Sequence, residues 1–277
     1  MGRVLVGLFV GLCCVVLSAA AEGSAPMTLT AKEHPWGSYL PNSFCVVQTT
    51  TIDNIDGRAV PSSKTVRTIL KTVDRSGITL GETETLEIGG RVVPKQPQTV
   101  KYDFFQERIQ ENVRVTQGEP VKMMVGHKGV PCAVRIYEQE TSGGHLTTTI
   151  WYSSQVFPYV LRVEKILSSE RTGGQIIRES VTLVQETSAL RNIRGARRNR
   201  TYTMQTVEKA GNITTTMDIR CSWDFPGGFL EANTIERDAQ NKEIRRSVSR
   251  MTNYQVFELM PVPAQRNRTW VPVEPTN

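Results

Sequence analysis

Six glycine-bearing turn pairs punctuate this 277-residue chain: Asp56-Gly57, Ser76-Gly77, Gly89-Gly90, Gly143-Gly144, Gly173-Gly174 and Gly211-Asn212. Such pairs supply the positive φ angles of tight hairpins. Between them run segments of six to ten residues rich in Thr, Val and Ile. Leu161 and Val163 alternate with Arg162 and Glu164, Val134 and Ile136 with Arg135, and Ile177, Val181 and Leu183 share a parity interrupted by Glu179. A period of two buries one face and wets the other, which is the signature of antiparallel sheet. The expected fold is therefore all-β: antiparallel meander sheet, strongly curved or half-barrel-like. One helical pattern competes, since Phe105, Ile109 and Val113 are spaced by four within 103–114.

The second half repeats itself. Thr147-Thr148-Thr149-Ile150, Phe157-Pro158 and the strand Val160–Ile166 are echoed by Thr214-Thr215-Thr216-Met217, Phe225-Pro226 and Phe229–Ile235. The offset is about 68 residues, which predicts one meander built twice, over residues 130–185 and 200–252.

The N-terminus supplies an address. Arg3 precedes a nearly continuous apolar run, Val4 to Val16, and Ser18-Ala19-Ala20-Ala21 follows with small residues of the cleavage-site kind. That order is a secretory signal peptide, too short for a comfortable membrane span. We expect residues 1–21 to be removed, 22–42 to form an N-terminal extension, 43–260 the β domain, and 261–277, with four prolines, a tail. The expected location is secreted or periplasmic, with no transmembrane segment after cleavage. Removing the leader leaves three cysteines, Cys45, Cys132 and Cys221. They fit one disulfide plus a spare thiol, or three buried free thiols.

Formal charge is +6, one less once Arg3 leaves. A mild excess favours anionic neighbours, an envelope polymer or lipid, and falls short of the dense basic stripe with stacked aromatics that nucleic acid requires. Arg191, Arg194, Arg197, Arg198 and Arg200 crowd the junction between the repeat units. The cluster reads as a solvated loop or as a candidate anion-binding site.

Catalytic patterns are missing. There is no Gly-x-Ser-x-Gly elbow, no His-x-x-x-His pair, no phosphate-binding glycine loop and no acidic calcium loop. His34, His127 and His145 each adjoin a turn and read as surface histidines, and His127 with Cys132 is too sparse for a zinc site. Paired carboxylates of glycosidase type leave no local pattern. Asp218 and Asp224 flank Trp223, an arrangement that suits sugar contact or core packing. Three Asn-x-Thr triplets begin at Asn199, Asn212 and Asn267. No catalytic, cofactor or metal residues are assigned.

His34-Pro35-Trp36-Gly37, Gly129-Val130-Pro131-Cys132, and Trp151-Tyr152-Ser153-Ser154 leading into Phe157-Pro158-Tyr159-Val160-Leu161-Arg162 resemble exported β-rich proteins of planctomycete-type bacteria. The resemblance spans most of residues 34–185 and implies a bacterial secreted or periplasmic β protein, with no activity to carry over. The strand run is also similar, at fold level alone, to the open half-barrels of periplasmic lipoprotein carriers. The leading expectation is a non-enzymatic binding or scaffold protein of the cell envelope. The alternatives are a lipid or lipoprotein carrier with an apolar groove and an envelope glycan hydrolase.

Overall fold

The computed structural model describes residues 28–55, 57–169, 174–187 and 200–257. The leader, most of the arginine cluster and the proline-bearing tail lie outside them. Among the described residues there is no α-helix, and none long and apolar enough to cross a membrane. Fourteen strands form one antiparallel sheet: β1 Phe44–Ile55, β2 Arg58–Asp74, β3 Gly77–Ile88, β4 Arg91–Pro94, β5 Gln98–Tyr102, β6 Val113–Val125, β7 Lys128–Thr141, β8 Gly144–Tyr152, β9 Val160–Ser169, β10 Gln175–Thr187, β11 Thr201–Ala210, β12 Ile213–Ser222, β13 Phe229–Arg237 and β14 Glu243–Gln255. The order across the sheet is β4-β3-β2-β1-β14-β13-β12-β11-β10-β9-β8-β7-β6, with β5 also on β3. Each of the six turn pairs links two hydrogen-bonded neighbours.

Chain length forces this sheet to curl. Laid flat, the strands from β5 to β6 would span about 58 Å at the usual spacing. Only residues 103–112 join those two edges, and an extended link of that length reaches at most about 40 Å. The edges must approach each other, and β6 does draw near β10. The sheet remains an open half-barrel, because β6 and the β4–β5 edge share no ladder.

Residues 103–112 form a strap across one sheet face, which is thereby the concave one. They are not helical. The Asp103 carboxylate accepts the N–H groups of Phe105 (2.9 Å) and Glu107 (3.0 Å), a local bonding pattern that competes with a helix. Gln106 and Asn112 take left-handed φ values of 70° and 62°. The four-residue spacing has no common face, since Phe105 is buried, Ile109 is exposed and Val113 begins β6.

Residues 28–43 seal one end of the half-barrel, the base, and so contribute to the core rather than extending from it. Trp36 and Tyr39 pack with Cys45, Leu70, Ile78 and Leu80. Leu29 joins Phe105, Tyr137, Ile150 and Tyr152. The Tyr39 hydroxyl donates to the Trp223 carbonyl (2.9 Å), and Leu40 N–H donates to the Phe257 carbonyl (2.6 Å). A Cβ on Gly37 would lie 1.6 Å from the Ala31 carbonyl oxygen, so the close approach of the two backbones requires glycine. The β6–β7 hairpin also packs here, placing Val125, Val130 and Cys132 on Leu161 and Val184.

Strands β7–β10 and β11–β14 are two four-strand meanders with similar connections at the base. Ser153 N–H donates to Tyr159 O and Tyr159 N–H to Val156 O. Ser222 N–H likewise donates to Gly228 O and Gly228 N–H to Phe225 O. Tyr159 and Gly228 share positive φ, and a bulge precedes each turn. Within this common frame the two Phe-Pro pairs sit one residue out of step. Pro158 and Pro226 are both fully buried.

Candidate functional site: a graded concave face

Cross-strand partners share a face in an antiparallel sheet, so the ladders can be followed rung by rung over the concave side. One rung runs Tyr137, Thr148, Lys165, Ser180, Glu208, Thr215, Glu236, Arg245, Asp53. The next rung toward the base runs Arg135, Ile150, Val163, Thr182, Thr206, Met217, Thr234, Ser247, Thr51, Ser62. The third includes Val184, Met204, Ile219, Ala232, Ser249 and Thr49. Beyond it lies the aromatic base, where the Phe157 ring stands edge-on to Tyr202 and to Trp223, 5.1 Å between centroids in each case. Outside the charged rung lies a mixed one, Gln139, Leu146, Leu167, Arg178, Ala210 and Ile213. From the charged rung inward the trough thus changes to hydroxyl-rich and then to apolar.

The charges are held in pairs. Glu208 meets Arg178 at 2.7 Å, and Arg245 lies between Asp53 and Glu236. These hydrogen bonds and the two carboxylates raise the Arg245 pKa further. Below them, Thr182 and Thr206 are 2.8 Å apart, Thr51 and Ser247 2.9 Å, and Thr49 and Ser249 2.8 Å. Each such hydroxyl pair uses one donor and one acceptor, leaving each pair a donor and further lone pairs for a ligand.

The strap is clasped to this face by its own polar contacts. Lys165 reaches Glu107 at 2.7 Å, and Gln139 donates to Gln110 at 2.8 Å. The Tyr137 hydroxyl donates to Asp103 and accepts from Arg135 Nε at 2.8 Å. Burial and the Asp103 charge push the Tyr137 pKa up. Burial raises Glu107, with Lys165 opposing that shift. Of the strap's three carboxylates, Asp103, Glu107 and Glu111, the first two are occupied in holding it.

Of the residues singled out in the sequence, Arg191, Arg194, Arg197 and Arg198 lie outside the described residues. Arg200 is exposed, and its carbonyl accepts from Trp223 N–H at 2.9 Å. Beside it an open depression is lined by Thr187, Thr201, Tyr202, Arg220 and Leu230. Arg220 pairs there with Glu231 at 3.3 Å. Trp223 is a core residue. Asp224 faces the nearby Ser222 hydroxyl at 3.2 Å, while Asp218 accepts from Gln205 at 2.9 Å.

His127 is exposed in its hairpin turn, and His145 pairs with Glu140 at 2.6 Å. His34 departs from the surface reading. It is buried, its Nδ1 accepts Trp36 N–H at 3.2 Å, and burial lowers its pKa to about 4. The thiols of Cys45, Cys132 and Cys221 are free, buried and placed in three different clusters. Burial raises them to about 12, 11 and 11. Among the described residues no group of three His, Cys, Asp or Glu side chains is arranged to hold a metal ion.

No family model and no curated protein matches this chain. Among solved structures, a domain from Vibrio parahaemolyticus described as that of an outer membrane lipoprotein-sorting protein is similar over 81% of this chain and 88% of its own. Its TM-score of 0.34 and sequence identity of 9% make the likeness too distant to carry an argument about function.

Proposed function

We propose that this chain is a secreted or periplasmic, non-enzymatic binding protein of the cell envelope that receives a hydrophilic ligand, a glycan or envelope polymer, along its concave face. The observation that supports this reading is the order of the rungs. An acyl chain passing down the trough to its apolar floor would have to cross Glu208, Glu236, Arg245 and Asp53 and displace their water. Taking charges out of water without new partners is costly. Hydroxyl rungs with spare donors and acceptors suit a ligand that is itself rich in hydroxyls. Hydrolysis would want two carboxylates whose environments set one as acid and one as base. Here Asp53 and Glu236 share Arg245, and Glu107 is held by Lys165.

Calorimetric titration with soluble envelope polysaccharides tests the reading. Saturable binding is expected, weakened about two- to tenfold by Thr182→Val with Thr206→Val. Tight uptake of a fluorescent fatty acid, with no polysaccharide binding, would replace this reading by lipid or lipoprotein carriage. Release of reducing sugar would replace it by glycan hydrolysis.

A further inference from the structure

Of the hairpins directed toward the open end, the two nearest the β4 edge of the sheet, β1–β2 and β3–β4, carry similar tips. Ile55 to Val60 reads Ile-Asp-Gly-Arg-Ala-Val, and Ile88 to Val93 reads Ile-Gly-Gly-Arg-Val-Val. Both tips point toward the open end, the second level with Ser62 and so set back by four residues of β2 from Arg58 at the first. In each, the arginine stands directly across from the isoleucine on the same face, Arg58 opposite Ile55 and Arg91 opposite Ile88. Neither arginine pairs with a carboxylate among the described residues, and both are exposed.

The apolar side chains of these tips occupy both faces of the sheet. Ile55, Val60, Ile88 and Val93 lie on the concave side, and Ile52 and Val92 on the convex side. All six are between 38% and 61% exposed. A folded partner packs on one surface at a time and favours aromatic anchors, which are absent here. A fluid apolar medium can wet both sides of a protruding tip. We infer that these two hairpin tips insert into the surface of a phospholipid bilayer, with Ile55, Ile88 and Val92 entering the acyl boundary and Arg58 and Arg91 meeting lipid phosphates. Amphipathic elements that lie in this zone combine the same two chemistries, and guanidinium pairs well with phosphate oxygens. The inference draws on the proposed envelope role for its compartment alone and does not depend on what the trough binds.

Co-sedimentation with vesicles of phosphatidylcholine and phosphatidylglycerol tests it. The apolar run Val4–Val16 would hold vesicles if retained, so the position-specific readout is a tryptophan at the tip. In an Ile88→Trp chain, emission should shift to the blue with vesicles and be quenched by lipids brominated on their acyl chains. Ile55→Ser with Ile88→Ser should weaken binding of the exported chain about tenfold or more, with polysaccharide binding retained. Loss of the added charge contacts in Arg58→Ala with Arg91→Ala should lower binding less. An Ile88→Trp emission that ignores brominated lipid overturns the inference. So does a tip variant that dissociates a wild-type dimer, because a second copy would then be what covers the tips.

Discussion

Two positions on one face of one strand behave in opposite ways. In β2, Leu70 is fully buried and Val60 is 38% exposed. The contrast repeats in β3 with Leu80 and Ile88, and in β12 with Cys221 and Ile213. Strand propensity and alternation treat these positions alike. What separates them is cover: the base lies under residues 28–43, the strap and the β6–β7 hairpin, whereas Val60, Ile88 and Ile213 at the open ends of β2, β3 and β12 stay exposed. A single-layer sheet has no second sheet to supply a core, so it gains stability only where another part of the chain folds onto it. The half-barrel therefore has a covered base and exposed apolar side chains at the open ends of β2, β3 and β12.

The sharpest way to break this comparison is to cut matching side chains at the two ends. Ile150→Ala or Leu70→Ala should each cost about 2–5 kcal/mol, the range for a fully buried aliphatic residue. Denaturant unfolding measures this, and losses below 1 kcal/mol would mean that the base is not the stabilising end. Acid titration probes the base through His34. Its folded pKa of about 4 lies below the ordinary 6.5, so the unfolded chain takes up the proton first. Stability should be steady above neutrality and fall by about 3 kcal/mol as pH drops from 6.5 to 4. His34→Gln should flatten that slope in unfolding curves collected across the range.

Much of the fold was legible in the sequence. All six glycine pairs link neighbouring strands, and Val163 shares the concave face with Ile150 while Arg162 and Glu164 face away. Leu161 escaped that alternation because a bulge interrupts the ladder between Trp151 and Tyr152. The cover was not legible. Residues 28–43 have no period of their own, the four-residue spacing within 103–112 points to a helix that does not form, and the side chains of both segments are placed by partners far along the chain, such as Trp36 against Leu70 or Asp103 against Tyr137. His34 read as a surface residue for the same reason. The rung gradient needed register as well as pattern, since a shift of one residue turns every hydroxyl to the other face.

The strap should respond less than the base. Tyr137→Phe leaves the ring in place but removes the hydroxyl between Asp103 and Arg135, at an expected cost of about 1–3 kcal/mol. Protease cleavage within residues 103–112 should become faster, and an unchanged rate would show that this contact does not hold the strap. The smallest effect is expected at the tips, where Ile88→Ser should change stability by under about 0.5 kcal/mol. A loss comparable to Leu70→Ala would mean that the open end is covered.

Hydrogen exchange followed by mass spectrometry measures the difference between the two ends within single strands. Slow exchange is predicted in peptides covering Leu70, Ile78, Ile150, Tyr152 and Cys221, with fast exchange around Ile55, Ile88 and Ile213 at the far ends of the same ladders. Equal protection along β2, β3 and β12 would contradict the account, because it would place stabilising cover over the open end as well as the base.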